Sequence, residues 1–332
     1  MVRRALAGFV LVVAASSAQA AVSERGALSL LVENDYFIHK TDRDFTNGIA
    51  LAYVTPPADN PDKIIAIAQA LPFFPANGQV RASYELGQNI YTPEDLDAYD
   101  PAPTERPYAG FLYGAVGLVS QNSAASSLDQ LVVQLGIIGP ASLAGDTQKW
   151  FHGLFGFKHP NGWHTQLRDE PGLAIIDEHS FRFGTAKGDN AGFGIDLEPH
   201  VGGAVGNVYD YVNAGAMLRF GYSLPDDFGP LRIEPSLPGA NFYEDRDDFS
   251  FYAFAGVDGR AVGRNIFLDG NTWQASRSVV KKNLVGDFDV GVTMRLFRFR
   301  AAFTHVFRSR EYASQLSVDE FGAFTISWQA TL

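Results

Sequence analysis

The chain has 332 residues, no cysteine, and 26 Lys and Arg against 37 Asp and Glu, a formal net charge of −11. Without cysteine there is no disulfide framework, no thiolate nucleophile and no Cys-based zinc site. The acidic balance argues against a general nucleic-acid binder, which needs a basic footprint, so nucleic acid is not an expected partner.

Residues 1–20 carry Arg3 and Arg4, then an apolar run from Ala5 to Ala15, then the small-residue sequence Ala18-Gln19-Ala20. This is the layout of a secretory signal peptide. An N-terminal membrane anchor is the alternative, but the apolar run is short for a span. Cleavage after Ala20 leaves residues 21–332, read as one domain, with 24 basic against 37 acidic residues and a net charge of −13. Past the leader no stretch of about 18 apolar residues occurs, so no transmembrane helix is predicted.

Segments of about ten residues with alternating polarity recur instead, the pattern of a transmembrane β-barrel whose lipid-facing and lumen-facing side chains alternate. In chain order the predicted strands are 28–32, 48–54, 83–91, 110–119, 130–138, 180–184, 192–200, 211–220, 249–257, 285–296, 299–307 and 324–332. The last is the clearest: Phe324, Ile326, Trp328, Ala330 and Leu332 share one face, while Thr325, Ser327, Gln329 and Thr331 share the other. The fold expected is all-β, an antiparallel transmembrane barrel of about 12 strands with short helices in its outer loops. An aromatic content of 13% and 33 glycines support it. A secreted sandwich or soluble barrel would show the same alternation. A terminal Leu332, where many outer-membrane chains end in an aromatic residue, counts against the membrane barrel.

Three interruptions exceed simple turns: 55–82, 92–107 and 139–179. The third contains a predicted helix over 146–155. Long loops of this kind are often functional.

Two places concentrate chemistry. The run Glu33-Asn34-Asp35, followed by residues 41–48, ends a membrane-type strand. Such polar groups are costly in lipid unless they line water or bind something. On a regular strand Asn34 and Asp35 would face opposite sides of the wall, so both reach one site only if the strand bends or ends there. Asp35 with nearby oxygens suits a hard cation such as calcium. An exposed charged turn is the alternative for Asp42, Arg43 and Asp44. In the predicted helix, Gln148 and His152 lie four residues apart and share a face. A histidine there suits a general base near neutral pH, with Gln148 orienting it or binding substrate. The plainer reading is a helix packed on the wall with a solvated histidine. The other histidines (His39, His159, His164, His179, His200 and His305) form no helical zinc pair. No Gly-x-Ser-x-Gly elbow occurs.

Several motifs, in order, resemble the outer-membrane lipid A 3′-O-deacylases. They are Glu33-Asn34-Asp35, Asp44-Phe45-Thr46-Asn47-Gly48, Gly87-Gln88-Asn89-Ile90-Tyr91-Thr92-Pro93, Glu105-Arg106-Pro107-Tyr108-Ala109-Gly110 and Gly136-Ile137-Ile138-Gly139-Pro140. Gln148, His152, Gly162-Trp163 and Gln166-Leu167 follow. The resemblance covers residues 33–167. It implies a 12-stranded outer-membrane barrel, with its site between the barrel and its outer loops. It implies hydrolysis of the ester that holds the 3′-linked acyl chains of lipid A, with calcium required. Lipid A or lipopolysaccharide and outer-membrane lipids are then the partners. Carried over by motif, the site comprises Asn34, Asp35, Thr46, Gln148 and His152, with Asp35 as the metal ligand. Arg106 and Lys149 are the cations expected to meet lipid A phosphates. Some members carry a tyrosine where this chain has His159, so a phenol at that place has no counterpart. Rival expectations are another outer-membrane lipid esterase, phospholipase-like, and a non-catalytic pore or adhesin.

Overall fold

A computed structural model describes residues 25–38, 44–57, 63, 66–67, 70, 78–122, 125–184, 192–236, 239–240 and 248–330. The leader, residues 39–43 and most of the 55–82 interruption lie outside the described residues.

Twelve strands run in chain order: β1 (Gly26–Asn34), β2 (Asp44–Val54), β3 (Gln79–Thr92), β4 (Ala109–Gln121), β5 (Ser127–Ile138) and β6 (Glu170–Phe181). Then come β7 (Phe193–Gly206), β8 (Tyr209–Tyr222), β9 (Phe249–Asn265), β10 (Leu284–Leu296), β11 (Phe299–Arg308) and β12 (Asp319–Ala330). A two-residue piece, Phe183–Gly184, continues β6 beyond Arg182 and pairs with β7. Every neighbouring pair is antiparallel, β1 pairs with β12, and β6 pairs with β7, which closes the barrel. Closure removes the unpaired edges that lipid cannot tolerate. No described helix is long and apolar enough to cross a membrane; the strands do the crossing.

Each predicted strand overlaps an observed one. The sixth needs correcting: it starts at Glu170, not 180, so the third interruption shrinks to 139–169. Pro171 and Gly172 sit at the start of this strand, where proline is tolerated.

Alternation sorts the side chains. On β9, Phe249, Phe251 and Val257 face out, while Tyr252, Phe254, Asp258 and Arg260 are buried inside. At the rim where β1 starts and β12 ends, Phe193, Phe220, Tyr222 and Phe251 of β7 to β9 form one aromatic cluster on the outer surface, part of the girdle such barrels carry.

The lumen is filled. Residues 223–236 and 239–240, between β8 and β9, fold back into it. Phe228 and Ala240 pack with Ala27, Val54, Val119 and Leu128. Asp226 meets Arg182, and Asp227 meets Arg219 and Arg300. At the opposite rim, Phe267 of the short helix α2 (Ile266–Asp269) stacks on Tyr91 at 4.1 Å, within an aromatic layer that includes Phe45, Phe111, Tyr209 and Phe321. This second rim carries the long helix α1 (Ala144–Phe155) and is called the helix rim below.

Candidate active site

Helix α1 starts two residues before the predicted bound and lies on the outside of the wall. Ala144 and Trp163 pack on Ile90 of β3 and on Tyr108. Gln88, two residues before Ile90 and on the same outward face, donates from Nε2 to the Ser142 carbonyl at 2.6 Å. The face of α1 turned to the wall carries Ala144, Gln148 and His152, one at each helical turn. Its other side exposes Trp150 (67% exposed), Leu154 and Phe155.

Gln148 and His152 are 3% and 2% exposed. Both are orientated by specific partners. Trp163 donates its indole N–H to Gln148 Oε1 at 2.7 Å. That bond fixes the amide, so Nε2 is the remaining donor, and it has no acceptor among the described residues. The helix ends where Gly156 takes a left-handed conformation (φ 75°), a region that favours glycine. The chain then doubles back, Phe157 N–H donates to the His152 carbonyl at 2.8 Å, and the Lys158 carbonyl arrives at His152 Nδ1. A carbonyl only accepts, so Nδ1 carries the hydrogen and Nε2 of the neutral ring keeps its lone pair. The Lys158 ammonium in turn bonds Asp97 at 2.6 Å, and that carboxylate raises its pKa.

The strand-end motif comes to the same patch of wall. β1 does end at Asn34, whose Oδ1 accepts the Tyr36 N–H at 2.8 Å and caps a single 3-10 turn, Asp35–Phe37. The ring of Tyr36 lies 4.7 Å from that of Phe157, and Phe157 meets the His152 ring edge-on at 5.7 Å. One aromatic ring therefore links the Asn34-Asp35 turn to the imidazole. On β2, Phe45 pairs with Tyr91 and Asn47 with Ile90, leaving Thr46 as an extra residue. This bulge reverses the alternation: Phe45 joins the lumenal aromatic layer, and Thr46 bonds Thr92 hydroxyl to hydroxyl at 2.6 Å. Thr92 shares the outward face of β3 with Gln88 and Ile90. Asn34 and Thr46 thus lie on the same outer side of the wall as Gln148 and His152: α1 covers β3 and β4, and Phe157, just beyond it, reaches the end of β1.

Arg106 is a correction. It is 1% exposed, pairs with Glu311 at 2.9 Å and lies 5.0 Å from the Tyr91 ring centroid, on the lumenal side. Its ion pair with Glu311 and the Tyr91 ring hold it inward, away from any lipid headgroup. Lys149 and His159 are both exposed at the helix rim. Trp163, Thr92 and Phe157 were not predicted as site residues. Trp163 and Thr92 sit inside the motifs quoted above, and Phe157 carried no sequence signal.

Near the β1 end the donors are the Asp35 carboxylate (1% exposed), the Asn34 amide and the Thr46 and Thr92 hydroxyls. All are oxygens, the kind a hard cation takes. Among the described residues no group of three or more His, Cys, Asp or Glu gathers to hold a metal. A calcium ion bound to Asp35 would therefore complete its shell with neutral oxygens and water.

No curated protein matches the chain. Among solved structures, LpxR from Salmonella typhimurium is similar, with a TM-score of 0.73 and 20% identity, covering 91% of this chain and 99% of that one. At that identity the likeness shows the fold. The β domain of the Bordetella autotransporter Brka matches with a TM-score of 0.43 and 9% identity, over 93% of this chain and 99% of that one. So loose a likeness bears on nothing further. The family model described as "Outer membrane protein LpxR" matches residues 5–330. Its reach over nearly all of the closed barrel makes this chain an outer-membrane protein belonging to the LpxR family.

Proposed function

We propose that the protein is a lipid A deacylase that hydrolyses the ester holding the 3′-linked acyl chains. The observation that carries this reading is the paired setting of Gln148 and His152: two buried polar side chains on one face of α1, each orientated by its own partner. Family membership and the Salmonella LpxR fold support it.

Ester hydrolysis needs an activated water and a donor for the developing oxyanion. His152 Nε2 takes a proton from water, and the hydroxide oxygen bonds to the acyl carbon. Gln148 Nε2 donates to the oxygen that becomes negative. When the tetrahedral intermediate collapses, the bond from the acyl carbon to the 3′ oxygen breaks. The imidazolium returns its proton to that leaving oxygen, releasing the fatty acid and the 3′ hydroxyl. Asn34 and Thr46 hydrogen-bond around the carbonyl. Asp35 would hold a calcium ion, which when bound supplies electrostatic stabilisation of negative charge. The exposed apolar side of α1, with Trp150 and Leu154, offers hydrocarbon contact for acyl chains, and Lys149 is placed to meet a phosphate.

Mass spectrometry of lipid A and phospholipids from outer membranes containing the protein tests the reading. The expected product is lipid A lacking its 3′-linked acyl group, with turnover lost on calcium chelation. Intact lipid A with accumulating lysophospholipid would assign a phospholipase instead. No change in either lipid would leave a non-catalytic barrel.

A further inference from the structure

Glu33 opens the Glu33-Asn34-Asp35 run, yet the chemistry above does not use it. Its side chain points into the lumen, to the other face of the wall from Asn34, and is buried there. Its Oε1 accepts Arg232 Nε at 2.6 Å and the Ile233 backbone N–H at 3.1 Å. Both donors belong to the segment that fills the lumen. Arg232 also donates to Asp289 of β10 at 3.2 Å and lies 5.9 Å from the Phe321 ring centroid of β12. Ile233 packs with Leu31 of β1 and with Ala50 and Ala52 of β2. Gly48 is the cross-strand partner of Glu33, and a side chain there would come within 2.7 Å of Ile233 Cδ1. Glycine leaves the room that Ile233 occupies. Arg232 and Ile233 thus grip the last residues of β1 and the facing part of β2 together. The next residues toward the helix rim are Asn34 and its partner Asn47, then Asp35 and Thr46.

We infer that the lumenal segment is an internal buttress of the active site, in which Arg232 is a positioning residue acting through Glu33. It sets where β1 ends and how Asn34 and Asp35 are presented beneath α1. A strand end at a barrel rim is prone to fray, and a buried carboxylate held by two donors stops it. Displacing a positioned group by about 1 Å lowers turnover by about a hundredfold. The catalytic consequence rests on the deacylase reading; the structural one does not.

The test uses the full chain folded in detergent, with amide hydrogen exchange over residues 33–37 and steady-state deacylation of lipid A. Arg232→Met is expected to keep the heat-modifiable barrel and to speed exchange at 33–37 by about tenfold or more, with β6 and β7 unchanged. It lowers kcat by about tenfold or more and moves KM by less than about twofold, because the defect lies in orientation rather than in binding. Glu33→Gln shifts both readouts the same way. The double variant is no worse than the poorer single variant, since both remove one contact. If Arg232→Met does not fold, Arg232→Lys, which keeps the charge but not the Nε bond, carries the same expectations. Wild-type exchange at 33–37 in a folded Arg232 variant overturns the inference. So does an unchanged kcat against an active wild type, or fully additive single effects. A wild type that cleaves no lipid A ends the deacylase reading, and the exchange measurement alone then decides the buttress.

Discussion

The lumen and the patch of outer wall under α1 both bury polar side chains, but in opposite ways. In the lumen, charge meets charge. Arg219 bridges Asp196 at 2.6 Å, Glu198 at 2.8 Å and Asp227, and Asp227 passes on to Arg300 at 2.7 Å. Asp287 takes both Arg260 and Arg308 at 2.8 Å. These groups serve one another and tie residues 223–236 to the wall. Under α1 the helix itself presents an amide and an imidazole rather than ion pairs: Gln148 commits its oxygen to Trp163 and keeps its Nε2 donor, and the Lys158 carbonyl holds His152 at Nδ1. A network of mutual ion pairs builds structure; an orientated amide that keeps a donor, as Gln148 does, can act on a substrate. Burial and charge alone would have pointed to the lumen.

The comparison breaks most sharply at His152. His152→Ala should lower lipid A deacylation by about two to four orders of magnitude, the range for a lost general base, while the barrel keeps its heat-modifiable mobility on gels. A general base works unprotonated. Wild-type turnover should therefore fall in acid, where the base is protonated. A variant that still turns over at the wild-type rate would place the base elsewhere.

Arg219→Met probes the other region and should behave in reverse. Removing the arginine leaves Asp196, Glu198 and Asp227 buried without it, at a cost of about 3–5 kcal/mol of stability, seen as a lower unfolding temperature. The fraction that remains folded should deacylate at the normal rate. A selective loss of kcat in folded Arg219→Met would mean that the lumen and the site are not separable in this way.

Trp163→Phe keeps the ring packing but removes the N–H that holds Gln148. The amide can then turn, and kcat should drop by about tenfold with KM little changed, because one orientated donor is lost only part of the time. Equal kinetics in both proteins would show that Trp163 merely fills space.

The smallest effect is expected at Lys158→Ala. The Lys158–Asp97 pair is exposed, its side chains being 80% and 59% accessible, and such pairs contribute little. The backbone carbonyl that holds His152 survives the substitution. Unchanged kinetics would confirm that the carbonyl, and not the ion pair, sets the ring; a clear loss would give the 93–108 loop a direct part in the site.

Much of this was legible in the residues themselves. Alternation along 324–330 or 249–257 reports a strand with two unlike faces, because side chains on extended backbone point alternately to either side. The four-residue spacing of Gln148 and His152 reports a shared helical face for an equally local reason. Residues 223–240 were opaque by comparison. Rich in proline, glycine and acid, they carry no periodic pattern, and a charged lumen lined with arginine accepts the same composition that water does. Thr46 was legible as a motif residue, but its bulge was not, since a bulge is defined only by the partner strand.

What the amino-acid sequence determined unaided was the kind of element and its two faces: twelve crossings, a helix with a polar pair, and a strand that brings its amide and carboxylate to one site only if it bends or ends there. These follow from geometry repeated every two or every 3.6 residues. The tertiary structure alone decided which of those faces meet. It turned Arg106 inward to Glu311, seated Arg232 on Glu33 almost two hundred residues away in the chain, and set His152 one aromatic ring from Tyr36. Such meetings depend on how the barrel closes and on which loop folds over which wall, and no short stretch of chain carries that information.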